Sequence, residues 1–258
     1  MSALRPYIGI TDFMNFAQVE AMEAVFAGSK QEGSGRQLHV GVMMSYKTLN
    51  DIETKWSKAF PHREQVVEIF RSLDSYNCLH YADYDHSDDF YQHLALAMCF
   101  GGNRLSAVQL DMIWPTPRQI FRAAQVAAMQ PEIILQVGKN AIEVCDNDPR
   151  KVVERLGCYE GIIHRVLLDK SMGKGLGMDA KGLLPYARAI RDAFPELGIG
   201  AAGGLGPDTM DLVQPLIEEF PDLSIDAQGR LRPSGNALDP IDWGMASTYL
   251  MNALKMLK

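Results

Sequence analysis

Short apolar runs alternate with longer amphipathic stretches eight times along the sequence, and this alternation restricts the possible folds more than any other feature. The apolar runs predict strands at 7–11, 38–44, 77–82, 107–110, 133–137, 162–168, 198–201 and 223–226. The stretches between them have helical spacing and predict helices at 15–27, 63–73, 88–98, 116–129, 149–156, 180–194, 207–220 and 240–257. Repeated strand–helix units form parallel sheets with right-handed crossovers. Eight units in 258 residues predict an α/β protein with a single (β/α)8 TIM barrel, and a doubly wound open sheet is the alternative.

Composition excludes several other classes of protein. The net charge is −7 and no run of Lys or Arg is present, so we expect no nucleic-acid partner and no membrane surface. No apolar stretch reaches the roughly 18 residues of a membrane span, and the amino terminus has no signal-peptide core. The four cysteines are widely spaced without a CxxC pair, which indicates reduced thiols. We therefore expect a cytoplasmic protein of one domain, 1–258, without metal or cofactor.

The segment 45–62 is a long connection after the second predicted strand. It belongs to the carboxyl-terminal face of the barrel, where the active sites of such barrels are built. A loop of this length at this position serves either as a lid over the site or as a surface insertion with its own short helix.

A glycine-rich turn follows the seventh predicted strand. Gly203, Gly204, Leu205 and Gly206 precede Pro207, which we expect to open a helix. Glycines let a backbone approach a ligand closely, and the amino end of a helix attracts anions. The turn therefore predicts a phosphate site, and the alternative is a tight turn without a ligand.

The sixth predicted strand ends directly in a carboxylate, Asp169, and a glycine-rich loop follows with Gly173, Gly175 and Gly177. An acid at the carboxyl end of a barrel strand faces the pocket and is typical of a catalytic group. The loop is then a candidate lid that excludes water from the site. In the alternative, Asp169 only caps the loop and pairs with a nearby lysine.

Polar residues at the other predicted strand ends are weaker candidates. Taken one at a time, each is more typical of a hydrogen-bonding barrel residue than of a catalyst. Together they place acids, amides and a cation around one mouth; they are Thr11, Asp12, Ser45, Lys47, His80, Asp83, Gln109, Asp111, Gln136 and Lys139.

Several short motifs, in order along the chain, resemble those of the phosphoribosylanthranilate isomerase family. The family's K-x-C-G-I-T, S-x-R, V-Q-L-H, L-L-D, A-G-G-L-x-P and V-D-V-S-S-G segments are similar to 6–11, 45–47, 108–111, 167–169, 202–207 and 225–229 here. The resemblance implies a barrel of the ribulose-phosphate-binding type and an Amadori rearrangement of the kind used in tryptophan biosynthesis. It also implies a second phosphate loop at Ala227, Gln228 and Gly229.

The same resemblance implies which groups would act on the sugar. Asp169 matches the family's general acid, whereas Ile8 occupies the position of its general base, a cysteine. Lys47 replaces an arginine that would grip an anion with two parallel hydrogen bonds. A substitute base is then needed, and Asp12 and Asp111 are the candidates.

Three functions remain open on these grounds. The first is an enzyme that acts on a phosphorylated sugar or its amine adduct, with Asp169 as acid and a changed base. The second is the family isomerase working through a substitute base, and the third is a non-catalytic protein that binds a phosphorylated metabolite. In each case we expect a small phosphorylated partner and a monomer or homodimer.

Overall fold

Eight parallel strands close into a barrel in the computed structural model, which describes residues 4–29, 35–84, 89–170 and 177–257. The strands follow one another around the barrel in sequence order, and β8 pairs with β1 through Ile8 opposite Ile225. They are β1 Tyr7–Thr11, β2 Gln37–Ser45, β3 Tyr76–Ala82, β4 Ala107–Leu110, β5 Glu132–Gly138, β6 Arg165–Asp169, β7 Gly198–Ala202 and β8 Ser224–Ala227. The predicted TIM barrel is confirmed, and the open sheet is excluded because the sheet is closed.

Helices follow the strands. They are α1 Phe16–Ser29, α2 Tyr46–Leu49, α3 Val66–Ile69, α4 Phe90–Gly101, α5 Pro117–Ala127, α6 Lys139–Val144, α7 Pro149–Gly157, α8 Ala180–Ala193, α9 Gln214–Glu219 and α10 Trp243–Met256. Aspartates cap three of them. The side chains of Asp148, Asp179 and Asp242 accept hydrogen bonds from the first-turn N–H groups of α7, α8 and α10 at 2.9–3.0 Å.

The two faces of each strand are buried in different surroundings, as β2 illustrates. Leu38, Val40 and Val42 belong to the large apolar core between the strands and the helices. His39 and Gly41 alternate with them and face into the barrel. The interior also holds a separate buried cluster of Tyr7, Tyr76, Cys78, Ala107, Ile134, Leu167 and Ala202. The barrel is therefore filled with side chains, and aromatic and polar groups are prominent among them.

Polar pairs stabilise the amino-terminal end of the barrel. Arg165, only 2% exposed, forms an ion pair with Glu132 at 2.8 Å. The guanidinium of Arg36 donates hydrogen bonds to three backbone carbonyls, those of Pro221, Leu223 and Leu257. These contacts leave the opposite, carboxyl-terminal end as the open one.

The helix predicted at 207–220 is wrong over its first half. The chain forms a turn at Gly206–Thr209, where Thr209 N donates to Gly206 O at 3.2 Å, then a short 3-10 helix at Met210–Val213. Regular α-helix begins at Gln214 because Pro215 has no N–H to donate to a carbonyl four residues earlier and fits only in a first turn.

Two further predictions were too long. Only Arg63–Gln65, as a 3-10 helix, and Val66–Ile69 are helical within 63–73. The sixth strand begins at Arg165 rather than at Ile162, because the N–H groups of Ile162 and Ile163 both bond to the carbonyl of Tyr159 and close a turn after α7.

All four cysteines are free thiols, as predicted. None of the helices described is long and apolar enough to cross a bilayer. The assignment of 1–258 to one domain and the cytoplasmic location stay predictions.

Candidate active site

A cavity of about 520 Å³ opens at the carboxyl ends of the strands. Each of the eight strands contributes at least one residue to its lining: Thr11, Met43, His80, Gln109, Gln136, Leu167, Asp169, Ala202 and Asp226. Segment 45–62 lies over one side through Trp56 and Phe60, whose rings stack at 5.5 Å. The cavity is therefore where strand ends and the long loop meet, as expected for a barrel active site.

The structure brings most of the predicted site residues to this cavity. Asp111, Asp169, Lys47, Gly203, Gly204, Gln228 and Gly229 all line it. Asp12, Leu205, Gly206 and Ala227 do not line it, and Leu205 and Ala227 are buried in the apolar core. Gly177, from the candidate lid, is exposed, whereas Gly173 and Gly175 lie outside the described residues.

Two carboxylates, Asp111 and Asp169, line the cavity mouth, one directly after β4 and the other at the end of β6, with only β5 between these two strands. Burial raises the pKa of Asp111, and the charge of Asp169 raises it further, whereas a hydrogen bond from Tyr84 lowers it. The pKa of Tyr84 is raised in turn by burial and by both carboxylates. Close like charges cannot both ionise freely, so this pair favours retention of a proton on Asp111.

Asp12 is in a different position from the one that its place after β1 suggests. Its φ is +88°, a region that L-residues rarely adopt, and its carboxylate forms a buried ion pair with Arg232. Gln228 Nε2 donates to both of its oxygens at 3.1 Å. Burial raises the pKa of Asp12, and Arg232 opposes that rise. The Asp12 carboxylate thus holds Gln228 and Arg232, which both follow β8 in the chain, in place.

The glycine turn after β7 has a left-handed backbone at two of its glycines. Gly203 and Gly204 have φ of +109° and +68°, and Thr209 donates a side-chain hydrogen bond to the carbonyl of Gly204 at 2.7 Å. A Cβ at Gly206 would lie only 2.9 Å from the carbonyl oxygen of Arg230. The expected helix start at Pro207 is absent, so an anion here would rely on backbone N–H groups and on Arg230, not on a helix dipole.

Asp226 on β8 is a site residue that was not predicted from the sequence. It lines the cavity, is 6% exposed, and accepts hydrogen bonds from Thr11 Oγ1 at 2.9 and 3.1 Å. Burial raises its pKa to about 7, while the Thr11 hydrogen bond lowers it and the charges of Asp12 and Asp169 raise it. The signal was present: like Asp169, Asp226 ends an apolar predicted strand.

A chain of polar side chains runs from the cavity into the barrel. Gln109 Nε2 donates to Gln136 Oε1 and contacts His80 Nδ1, both at 3.1 Å, and His80 Nε2 lies 2.9 Å from His39 Nε2. Burial lowers the pKa of His80 to about 3. In the described part of the chain, His39, Cys78 and His80 are the one group with metal-ligand spacing.

Comparisons with known proteins place the chain among barrels of solved structure. Crystal structures similar to this chain include the tryptophan synthase alpha subunit from Legionella pneumophila str. Paris (13% identity, TM-score 0.53, covering 98% of this chain and 92% of that one). They also include phosphonopyruvate hydrolase (12% identity, TM-score 0.52, covering 86% of this chain and 75% of that one). A third is a putative lyase/mutase from Burkholderia cenocepacia J2315 (9% identity, TM-score 0.52, covering 88% of this chain and 76% of that one). At these identities the likeness shows the fold alone. No protein-family model and no curated protein matches the chain.

The resemblance to phosphoribosylanthranilate isomerase was wrong. The structural neighbours are phosphonopyruvate hydrolase, the tryptophan synthase alpha subunit and a lyase/mutase, and no family model supports the motif likeness. The short segments that carried it are strand ends and glycine turns, which different barrels share because the same geometry requires them. The roles that rested on that family, including the idea that Ile8 replaces a base, fall with it.

Proposed function

We propose that this protein is an enzyme that binds a small phosphorylated metabolite and transfers protons to and from it at the barrel mouth. The observation that carries the proposal is the pairing of Asp111 with Asp169 in one cavity, where the charge of Asp169 raises the pKa of Asp111. A carboxyl group with a raised pKa beside a second carboxylate in one cavity is a common arrangement for acid–base work.

The electrostatics favour a definite division of roles between the two acids. Asp111, with its raised pKa, keeps a proton more readily and is the better donor. Asp169 is then the acceptor, which reverses the roles expected from the sequence. Tyr84 keeps the Asp111 carboxyl oriented through its hydrogen bond.

The other side of the mouth suits an anionic group. The left-handed turn at Gly203 and Gly204 leaves backbone close to the cavity without side chains, an arrangement that favours contact between N–H groups and phosphate oxygens. Among the residues that the structure describes, four cationic side chains line the same cavity: Lys47, Lys55, Lys139 and Arg230. One structural neighbour, phosphonopyruvate hydrolase, is named for a phosphonate substrate, which agrees with an anion site at such a mouth.

Hydrogen–deuterium exchange tests proton transfer whatever the natural substrate is. Ribose 5-phosphate, glucose 6-phosphate, dihydroxyacetone phosphate and phosphonopyruvate are each incubated with the protein in D₂O, and loss of C–H signals is recorded by proton NMR. We expect exchange with at least one probe. Asp111→Asn and Asp169→Asn each slow it by about 10²–10⁴-fold while the Kd changes little.

Matched variants distinguish an effect on binding, measured as Kd, from an effect on the chemistry, measured as the exchange rate. Gly204→Ala strains the left-handed turn and is expected to raise the Kd of the same probe, and Asp192→Asn, an exposed carboxylate away from the cavity, leaves both quantities unchanged. Saturable binding without exchange would instead identify a non-catalytic phosphometabolite-binding protein. Exchange that survives in both aspartate variants would remove these residues from the chemistry.

A further inference from the structure

We propose that His39, Cys78 and His80 form a binding site for a divalent zinc-type metal ion at the floor of the cavity. One ligand atom from each side chain lies within 4.8 Å of the other two. All three side chains are buried, with exposures of 0%, 0% and 3%. This site is independent of the proposed proton transfer by Asp111 and Asp169 to and from a metabolite.

The strand register explains why the three side chains meet. Cys78 and His80 are two residues apart on β3, so both project to the same face of that strand. On the adjacent β2, Gly41 pairs with Cys78, and His39 precedes it by two residues on the same face. Glycine is needed at position 41 for this packing, because a Cβ there would lie 3.0 Å from His80 Nε2 and 2.5 Å from Thr11 Oγ1.

The donor set matches zinc chemistry. Imidazole and thiolate together favour Zn²⁺ and similar ions, which bind nitrogen at about 2.0–2.1 Å and sulfur at about 2.3 Å. Tetrahedral geometry at those lengths separates two nitrogens by about 3.3 Å. His39 Nε2 and His80 Nε2 already lie 2.9 Å apart, so a small outward movement would admit the ion.

Unsatisfied hydrogen bonding at the cluster supports a ligand there. His39 is fully buried, and its Nδ1 has no hydrogen-bond partner among the described residues. Gln109 contacts His80 Nδ1 at 3.1 Å, which is the outer contact that orients a metal-bound imidazole once the amide oxygen faces the ring. His39 thus offers the ion its unpartnered Nδ1 as an alternative to Nε2, and His80 has an orienting neighbour.

Two further features bear on metal binding: the route by which an ion reaches the ligands, and the charge that the ligands carry. His80 lines the cavity, so an ion can reach this ligand from the barrel mouth. The side chain of Thr11 packs beside it, since a Cβ built on Gly41 would lie 2.5 Å from Thr11 Oγ1 and 3.0 Å from His80 Nε2. A site with three protein ligands leaves one coordination position for water or substrate, which is typical of catalytic rather than structural zinc. Burial raises the pKa of the Cys78 thiol, so the ion must displace the thiol proton when it binds, and the thiolate then offsets one of its two positive charges.

Cobalt provides a direct readout. The full-length protein is freed of metal with a chelator and titrated with Co²⁺ under reducing conditions. We expect one ion per chain, visible bands of tetrahedral cobalt and a thiolate-to-cobalt charge-transfer band, all removed by added Zn²⁺. Cys78→Ser abolishes the charge-transfer band, and His39→Gln weakens binding by about 100-fold or more. Cys145→Ser, which removes another buried thiol, changes neither.

A second measurement needs no variant and therefore stands even where Cys78→Ser does not fold. X-ray absorption at the zinc edge of the loaded wild-type protein is expected to show one sulfur and two imidazole ligands. The proposal is overturned by the absence of a stoichiometric cobalt spectrum, by a charge-transfer band that persists in folded Cys78→Ser, or by a zinc shell without sulfur.

Discussion

Replacement of Asp226 by asparagine is expected to stabilise the folded protein at pH 8 and to leave its stability at pH 4 almost unchanged. Burial raises the pKa of Asp226 to about 7 in the folded state, whereas an aspartate in the unfolded chain titrates near 3.8. The folded state therefore binds the proton more tightly. The stabilisation that this proton provides is fully present below about pH 4 and is lost as the pH rises through about 7.

The size of the effect follows from the two pKa values. At ~1.4 kcal/mol per pH unit, the difference between about 7 and 3.8 corresponds to about 4 kcal/mol, an upper bound reached above pH 7. Asparagine avoids this cost because it carries no charge at any pH. Asparagine also keeps an oxygen that accepts the Thr11 hydrogen bond. In the wild type, Thr11 Oγ1 lies 2.9 and 3.1 Å from the two carboxylate oxygens of Asp226.

Urea unfolding of the metal-free protein at pH values between 4 and 8 measures this difference. The variant's gain in free energy of unfolding should grow from near zero to as much as about 4 kcal/mol across that range. Asp74→Asn, at an exposed carboxylate, serves as the control, with an expected change within about 0.5 kcal/mol at every pH. A gain that does not vary with pH, or a loss of stability at pH 8, would refute the reasoning.

Three further predictions concern single contacts. Arg232→Gln leaves the buried Asp12 carboxylate without its cation and is expected to lower the free energy of unfolding by about 3–5 kcal/mol at pH 7 in urea titrations. A loss below ~1 kcal/mol would show that the pair is not needed. Tyr84→Phe removes the hydrogen bond that lowers the pKa of Asp111, so carbon NMR of that carboxyl should show a higher pKa; an unchanged or lower value contradicts the assigned contact. Gly206→Ala places a Cβ 2.9 Å from a backbone oxygen and should cost about 1–3 kcal/mol in thermal or urea unfolding, whereas a neutral result would mean that the loop moves freely.

Strand prediction succeeded here because its signal is local. A buried barrel strand needs apolar residues on the face towards the helices whatever lies elsewhere, and each of the eight predicted runs overlaps an observed strand. Helix prediction failed over the first half of 207–220, where Pro215 and the hydrogen bonds of Thr209 decide the backbone. Those effects compete with helical periodicity, and the periodicity alone does not reveal which one prevails.

The site shows the same division between local pattern and tertiary context. Strand-end position correctly indicates that Asp111 and Asp169 reach the cavity. Asp12 also follows a strand, but its positive φ turns the carboxylate to Arg232, which is 220 residues away in the chain. The family resemblance failed for a related reason, since short glycine turns follow barrel strands in proteins of different function.

Taken alone, the sequence determines the barrel, because alternation of apolar strands and amphipathic helices is set within each segment of about 10–20 residues. It also marks the end of the barrel where polar groups gather. The tertiary structure alone decides which of those groups interact: that the charge of Asp169 acts on Asp111, that Asp226 is buried enough for its pKa to reach about 7, and that His39 meets Cys78 and His80. The physical reason is that burial and charge act through space, between strands that are far apart in sequence, so these chemical properties exist only after the barrel has closed.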